Sequence, residues 1–163
     1  MTIFKFDYDG REETDEDRKA RRKYLCKSKA DSIEKNRKRA IVTGITGQDG
    51  SYLAELLLDK GYNVVGLKRR TSTENHERIE GIIENPRFSL EEVEIADTGS
   101  VYSAVERHQP DEVYNLAAQS HVKTSFDQPH YTIETNTVGV VNFLEAIRRF
   151  KPDAKFYQAS TSE

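Results

Sequence analysis

The sequence predicts an α/β fold, a doubly wound parallel sheet with helices on both faces. Three observations carry this reading. Short apolar runs alternate with amphipathic stretches from Ala40 onward. The first run feeds a glycine-rich loop that opens a helix. Turn and stop signals fall between the segments, at Gly61, Asn85-Pro86 and Pro110. Alternating strands and helices imply right-handed crossovers and a parallel sheet.

Ala40 to Thr43 is the first apolar run, and it ends in glycines. Ser51 to Lys60 reads as a helix with Leu53, Leu56 and Leu57 on one face, stopped by Gly61. Asn63 to Leu67 is the second strand. Thr73 to Glu84 reads as a helix with Ile79, Ile82 and Ile83 inward, ended by Asn85-Pro86. Phe88 to Ile95 is the third strand. Asp97 can cap a helix over Gly99 to His108, with Pro110 beyond its end. Glu112 to Leu116 is the fourth strand. Tyr131 to Phe150 reads as one long helix carrying Val138, Val141, Phe143, Leu144 and Ile147. Lys155 to Ala159 is the fifth strand, near the end of the sequence.

The 163 residues allow one ordinary domain and a tail. A net charge of −3 hides two regions. Met1 to Arg39 holds 13 basic and 9 acidic residues, against 12 and 19 in Ala40 to Glu163. Residues 1–38 therefore form a charged extension, and 39–163 an α/β domain. The extension has too few large apolar residues for a core, so disorder or a solvated helix is expected. A nucleic-acid or targeting role for its basic stretch, Arg18 to Lys23, is the sharper alternative. The overall charge does not mark the chain as a nucleic-acid binder. No apolar run reaches the roughly 20 residues of a membrane span, and Met1 to Asp9 lacks a signal core. The single cysteine, Cys26, cannot make an internal disulfide, so a cytoplasmic, reducing compartment is expected. His76, His108 and His130 share no metal-binding spacing and are expected at the surface; no metal is expected.

The strongest local signal is Thr43-Gly44-Ile45-Thr46-Gly47-Gln48-Asp49-Gly50, between a strand and a helix. Gly44 can take a tight turn. Gly47 lets backbone approach a pyrophosphate, and Gly50 lets helix and strand pack closely. The free N–H groups and dipole of the helix start then favour phosphate. In this strand–loop–helix setting the triplet points to a dinucleotide site on a Rossmann-like doubly wound parallel sheet of about five strands.

The end of the second strand selects the cofactor. A site for NAD usually places a carboxylate about 20 residues after the glycines. Here the segment is Gly66-Leu67-Lys68-Arg69-Arg70-Thr71-Ser72, with no carboxylate. Two guanidinium groups can pair with a 2′-phosphate in a fork geometry, which favours NADP; a solvated basic loop is the plainer alternative.

Four strings in order make the resemblance specific. The glycine loop resembles that of extended short-chain dehydrogenases/reductases. Ile45 to Leu53, Arg69-Arg70-Thr71-Ser72, Tyr114-Asn115-Leu116-Ala117-Ala118-Gln119-Ser120-His121-Val122 and Phe156 to Glu163 resemble the GDP-mannose 4,6-dehydratase family. Related dehydratases and epimerases share the glycine loop but match less well at Gln119-Ser120-His121 and at the paired arginines. The resemblance runs from about Lys38 to the last residue.

The resemblance implies cofactor-diphosphate contacts from Gly44, Ile45, Thr46, Gly47, Gln48 and Asp49. It implies 2′-phosphate contacts from Arg69, Arg70, Thr71 and Ser72. Glu94-Ile95 stands where the family has Asp-Leu beside the adenine. Leu116, Ala117, Ala118, Gln119 and Ser120 would line the nicotinamide half, with Ser120 also facing the sugar. Tyr131 matches a cofactor-contact position, and is equally a packing residue at a helix start. His121 is expected to be a structural hydrogen-bonder rather than a catalyst.

Chemistry falls to the last residues. By resemblance, Thr161 would hydrogen-bond the sugar 4-hydroxyl and polarise the ketone formed there. Glu163 would act as acid/base at C5 and C6. Hydride leaves C4 for NADP, the C5 proton and C6 hydroxyl are lost as water, and hydride returns to C6. The cofactor is regenerated, so the net reaction is a lyase reaction. On residues alone, Ser160-Thr161-Ser162-Glu163 is an ordinary helix-cap signal. The family also uses a Tyr-x-x-x-Lys pair on the next helix, which this sequence does not reach. The 163 residues would thus be a cofactor-binding portion, without dehydratase turnover alone; a 4-keto-6-deoxy product from GDP-mannose and NADP would contradict this. A binding module without chemistry and an interaction protein working through its charged tail are the other readings. A homo-oligomer, or dependence on a covering second half, is expected because the fifth strand and the apolar faces beyond it would otherwise be bare.

Overall fold

The structure is a computed structural model that describes residues 15, 16, 18–20, 22, 23, 36–72 and 75–159. The chain divides into two compact units, Met1–Asn36 and Arg37–Glu163. In the first unit, the described residues within 15–23 are helical and exposed, and Arg18 pairs with Asp15 one turn earlier at 3.6 Å. Cys26 lies outside the described residues.

The second unit is built on five parallel strands: β1 (Arg39–Thr43), β2 (Asn63–Lys68), β3 (Phe88–Glu92), β4 (Glu112–Asn115) and β5 (Lys155–Gln158), in the order β3-β2-β1-β4-β5. Helices connect them: α1 (Gln48–Asp59), α2 (Glu80–Ile83), α3 (Thr98–His108), α4 (Val122–Asp127), α5 (Pro129–Ile133) and α6 (Gly139–Phe150). A π-helical turn, Glu134–Val138, joins α5 to α6.

The central strand β1 reads apolar at successive positions because both faces of the sheet are covered. Ala40 and Val42 pack with Val64, Phe88 and, from α1, Ala54, Leu57 and Leu58. Ile41 packs on the other face with Val65, Val113, Val101 of α3 and Phe143 and Ala146 of α6. The register aligns Ile41 with Val65 and with Val113. From β1 the sheet grows one way through β2 to β3 and the other through β4 to β5. The reversal leaves a crevice at the carboxyl ends of β1 and β4, where such sheets bind ligands.

The α/β class and the five-strand parallel sheet follow the sequence reading. Several details do not. The helix expected over Thr73 to Glu84 is only Glu80–Ile83, since Asn75 to Ile79 are irregular or turn; Thr73 and Glu74 lie outside the described residues. Ile79 and Ile82 are buried as expected, but Ile83 is partly exposed. Leu56, expected inward, is exposed, and Ala54 and Leu58 are buried in its place. α1 begins three residues before Ser51, directly on the glycine loop. β3 stops at Glu92, short of Ile95, because pairing with β2 ends at Lys68–Glu92. α4 has no counterpart in the sequence pattern; His121 starts it by accepting a bond from the Thr124 N–H at 3.3 Å. His108 is not a surface group: its Nε2 lies 2.6 Å from Glu91 Oε2, and both side chains are mostly covered. His76 is also half-buried.

Candidate functional site

The glycine loop shows why its glycines are needed. Gly44 has φ 65°, a left-handed backbone that disfavours a side chain. A Cβ on Gly50 would lie 2.3 Å from the Gly44 carbonyl oxygen, so only glycine lets α1 close on the turn. Gly47 is the N-cap of α1, with no side chain capping it. The first-turn N–H groups therefore have no internal side-chain acceptor, and the helix dipole adds to their pull on an anion.

Thr43 ties this loop to the neighbouring strands. Its hydroxyl donates to Asn115 Oδ1 at 2.6 Å and accepts from the Leu116 and Ala117 N–H groups at 3.0 and 2.9 Å. Asn115 in turn donates to Gln158 Oε1 at 2.8 Å. One buried chain of bonds thus locks together the carboxyl ends of β1, β4 and β5. Thr43 is fully covered by sheet and helix, which makes each of these bonds costly to lose.

The segment after β4 is held from its far side. The Gln119 N–H donates to Asn136 Oδ1 at 2.7 Å, and Asn136 Nδ2 donates to the Gln119 carbonyl at 2.9 Å. Gln119 Nε2 also reaches Thr132 Oγ1 at 3.1 Å. Asn136 sits in the π-helical turn, the one departure from α geometry in this helical run. Such turns re-aim a side chain and recur at functional sites.

These elements enclose a cleft of about 1010 Å³. Its walls carry Thr43, Gly44, Thr46 and Gly47 from the first loop, and Leu116, Ala117, Ala118, Gln119 and Ser120 after β4. Arg69, Thr71 and Ser72 line it after β2, Glu94 and Ile95 after β3, and Tyr131 from α5. Arg69 Nη1 donates to the Tyr131 hydroxyl, and the guanidinium lies 5.9 Å from the ring centre. Lys68 also lines the cleft and pairs with Glu92 at 3.4 Å.

Four expected contact residues do not line the cleft. The Ile45 side chain turns into the core, where it fills the space above Gly66; a Cβ there would meet Ile45 Cγ1 at 2.6 Å. Only the backbone of Ile45 remains for a ligand. Gln48, Asp49 and Arg70 stand outside the lining. Thr161 and Glu163 lie outside the described residues, as do Ser160 and Ser162. Asn75, Thr124 and Thr135 also line the cleft, and no local motif marks them in the sequence. Among the described residues, no group of three or more His, Cys, Asp or Glu side chains could hold a metal ion. None of the described helices is long and apolar enough to cross a membrane.

The strand order, the glycine turn and the cleft define a Rossmann-like fold of the short-chain dehydrogenase/reductase class. The enzyme WbmH from Bordetella bronchiseptica, solved in complex with NAD+, is similar in structure. It aligns with a TM-score of 0.59 and 32% identity, over 70% of this chain and 36% of its own. The UDP-Glc/GlcNAc 4-epimerase from Campylobacter jejuni shares the fold, with a TM-score of 0.64, 24% identity, and coverage of 73% and 36%. The profile of the family described as GDP-mannose 4,6 dehydratase matches residues 41–163. A GDP-mannose 4,6-dehydratase from Yersinia enterocolitica is 50% identical over 133 residues, 77% of this chain and 36% of that protein. A human GDP-mannose 4,6 dehydratase is 46% identical over 137 residues, 79% and 37% of the two chains. The chain belongs to the GDP-mannose 4,6-dehydratase family. It spans about a third of the length of these relatives, at 36% and 37%.

Proposed function

We propose that the Arg37–Glu163 unit is the NADP-holding part of a GDP-mannose 4,6-dehydratase. The observation that carries this is the bare start of α1 at the Gly44–Gly47–Gly50 turn, opening into a cleft rimmed by Arg69. The residues suit a dinucleotide. A Cβ on Gly44 or Gly50 would crowd the turn, Gly47 leaves the helix end uncapped, and the cleft is at the upper end of ordinary small-molecule sites. Preference for the 2′-phosphate rests on Arg69, Arg70, Thr71 and Ser72, with no carboxylate between Gly66 and Ser72. The NAD+ of the Bordetella structure supports a nicotinamide dinucleotide and makes NAD the alternative to be tested.

The bound cofactor would supply hydride acceptance and return. The chain's own residues would do the rest. Glycine-loop N–H groups would bind the diphosphate, and Glu94 and Ile95 would border the adenine. The Leu116–Ser120 segment, braced by Thr43 and Asn136, would shape the nicotinamide side, with Ser120 toward the sugar of GDP-mannose. Thr161 would hydrogen-bond the sugar 4-hydroxyl, and Glu163 would move protons at C5 and C6. For the whole protein we propose the family reaction in a cytoplasmic setting. Titration of the folded chain with NADPH and NADH tests the cofactor reading. NADPH should bind about ten-fold or more tighter, as expected for added charge-assisted hydrogen bonds. Its affinity should fall with salt. No binding, or tighter NADH, would reject it.

A further inference from the structure

The Arg69–Tyr131 pair has a consequence beyond placing two cleft residues. Arg69 follows β2, and Tyr131 belongs to the segment after β4; these strands flank β1 on either side. The two residues are 62 positions apart in sequence, yet Arg69 Nη1 donates to the Tyr131 hydroxyl and the guanidinium approaches the ring. An exposed arginine ordinarily samples many rotamers, and ordering it on binding costs affinity. Here one guanidinium nitrogen is already anchored over the cleft. The other edge of the planar fork keeps donors for a phosphate oxygen pair. A phenol accepts and donates at once, so while Tyr131 accepts from Arg69 its own O–H can still point at an anion. Arg70, the second arginine, is exposed and lies outside the cleft lining.

We infer that Tyr131 is a positioning residue that pre-organises Arg69 for a 2′-phosphate, and so sets the preference for phosphorylated over unphosphorylated nicotinamide dinucleotide. This rests on the cofactor reading above. Of the paired arginines, Arg69 carries the discrimination and Arg70 adds general positive charge.

Tyr131→Phe keeps the ring and removes the acceptor. In the full chain, calorimetry with NADPH and NADH should show the affinity ratio falling about two- to ten-fold, with NADPH losing more affinity than NADH. In an Arg69→Gln background the same substitution should leave the ratio as it was, the signature of two groups acting as one. Tyr131→Leu, which also removes the ring, should lower the ratio at least as far. An unchanged ratio, a raised one, or equal weakening of both ligands would overturn the inference while leaving the cofactor reading intact. If the unmutated chain bound neither ligand, both would fall together.

Discussion

At the scale of single residues, two sites carry most of the physical consequence. Gly50 faces the Gly44 carbonyl so closely that a methyl group has nowhere to go. Gly50→Ala should cost about 1–3 kcal/mol by overpacking, read as a lower urea midpoint, and should weaken NADPH binding as the turn opens. Glu112 lies at the amino end of the sheet, away from the cleft. It accepts from Tyr114 at 2.7 Å, Lys38 at 3.0 Å and Tyr62 at 3.3 Å. Burial by itself pushes its carboxyl up, but the bonds from Tyr114 and Lys38 outweigh it and hold the group below 4.5. A folded-state value below the unfolded one means stability that is present above pH 4.5 and lost as pH falls through the lowered value. Glu112→Gln should therefore be less stable by roughly 1–2 kcal/mol at pH 7, with the gap closing in acid; pH-dependent urea unfolding would show it. Burial and then Glu112 push the Tyr114 phenol up to about 12, so it remains a donor through neutral and mildly alkaline pH.

Among the elements, the helical run from Pro129 to Phe150 is the most instructive. The sequence suggests one long helix from Tyr131, and the interior positions Phe143 and Ile147 are indeed buried. No periodicity announces the π-helical turn, which places Asn136 in hydrogen bonds with the Gln119 backbone 17 positions away. Asn136→Ala removes two bonds to that segment. It should cost roughly 1–3 kcal/mol and make the Leu116–Ser120 loop exchange amide protons faster, while α6 stays protected. If exchange in the loop did not change, the bracing role of Asn136 would be wrong. A contrasting case is α3, whose start is local: Asp97 accepts from the Ser100 N–H at 2.7 Å, as an N-cap should. Its carboxyl is held low by the bonds from Ser100. Asp97→Ala should lower the thermal midpoint without altering cofactor affinity, since the cap lies outside the cleft lining.

For the whole molecule, the outer flank of α6 presents apolar side chains to solvent. Val141 and Leu144 are 50% and 46% exposed on one helical stripe, and Val138 lies one turn earlier. β5 pairs with β4 alone among the described strands, and Tyr157 on it is open to solvent. Contiguous apolar surface of this kind drives association. This flank is the surface on which the expected homo-oligomer, or a covering second half, would sit. Val141→Lys with Leu144→Glu should shift the sedimentation profile toward monomer while leaving the fold intact by circular dichroism. An unchanged profile would place any association elsewhere.

Legible from the residues alone were the sheet class, the position of the glycine turn, the Asp97 cap and the lack of a carboxylate at the end of β2. Each is a local matter of backbone freedom, hydrogen-bond chemistry or alternating apolar runs. Tertiary structure decided the rest. It turned Ile45 inward over Gly66, exposed Leu56 while burying Leu58, shortened the helix before Asn85, and bound His108 to Glu91. It also brought Arg69 to Tyr131 and Asn136 to Gln119. Those outcomes depend on which neighbour covers a side chain, and neighbours 17 to 62 positions away are chosen by packing rather than by local pattern.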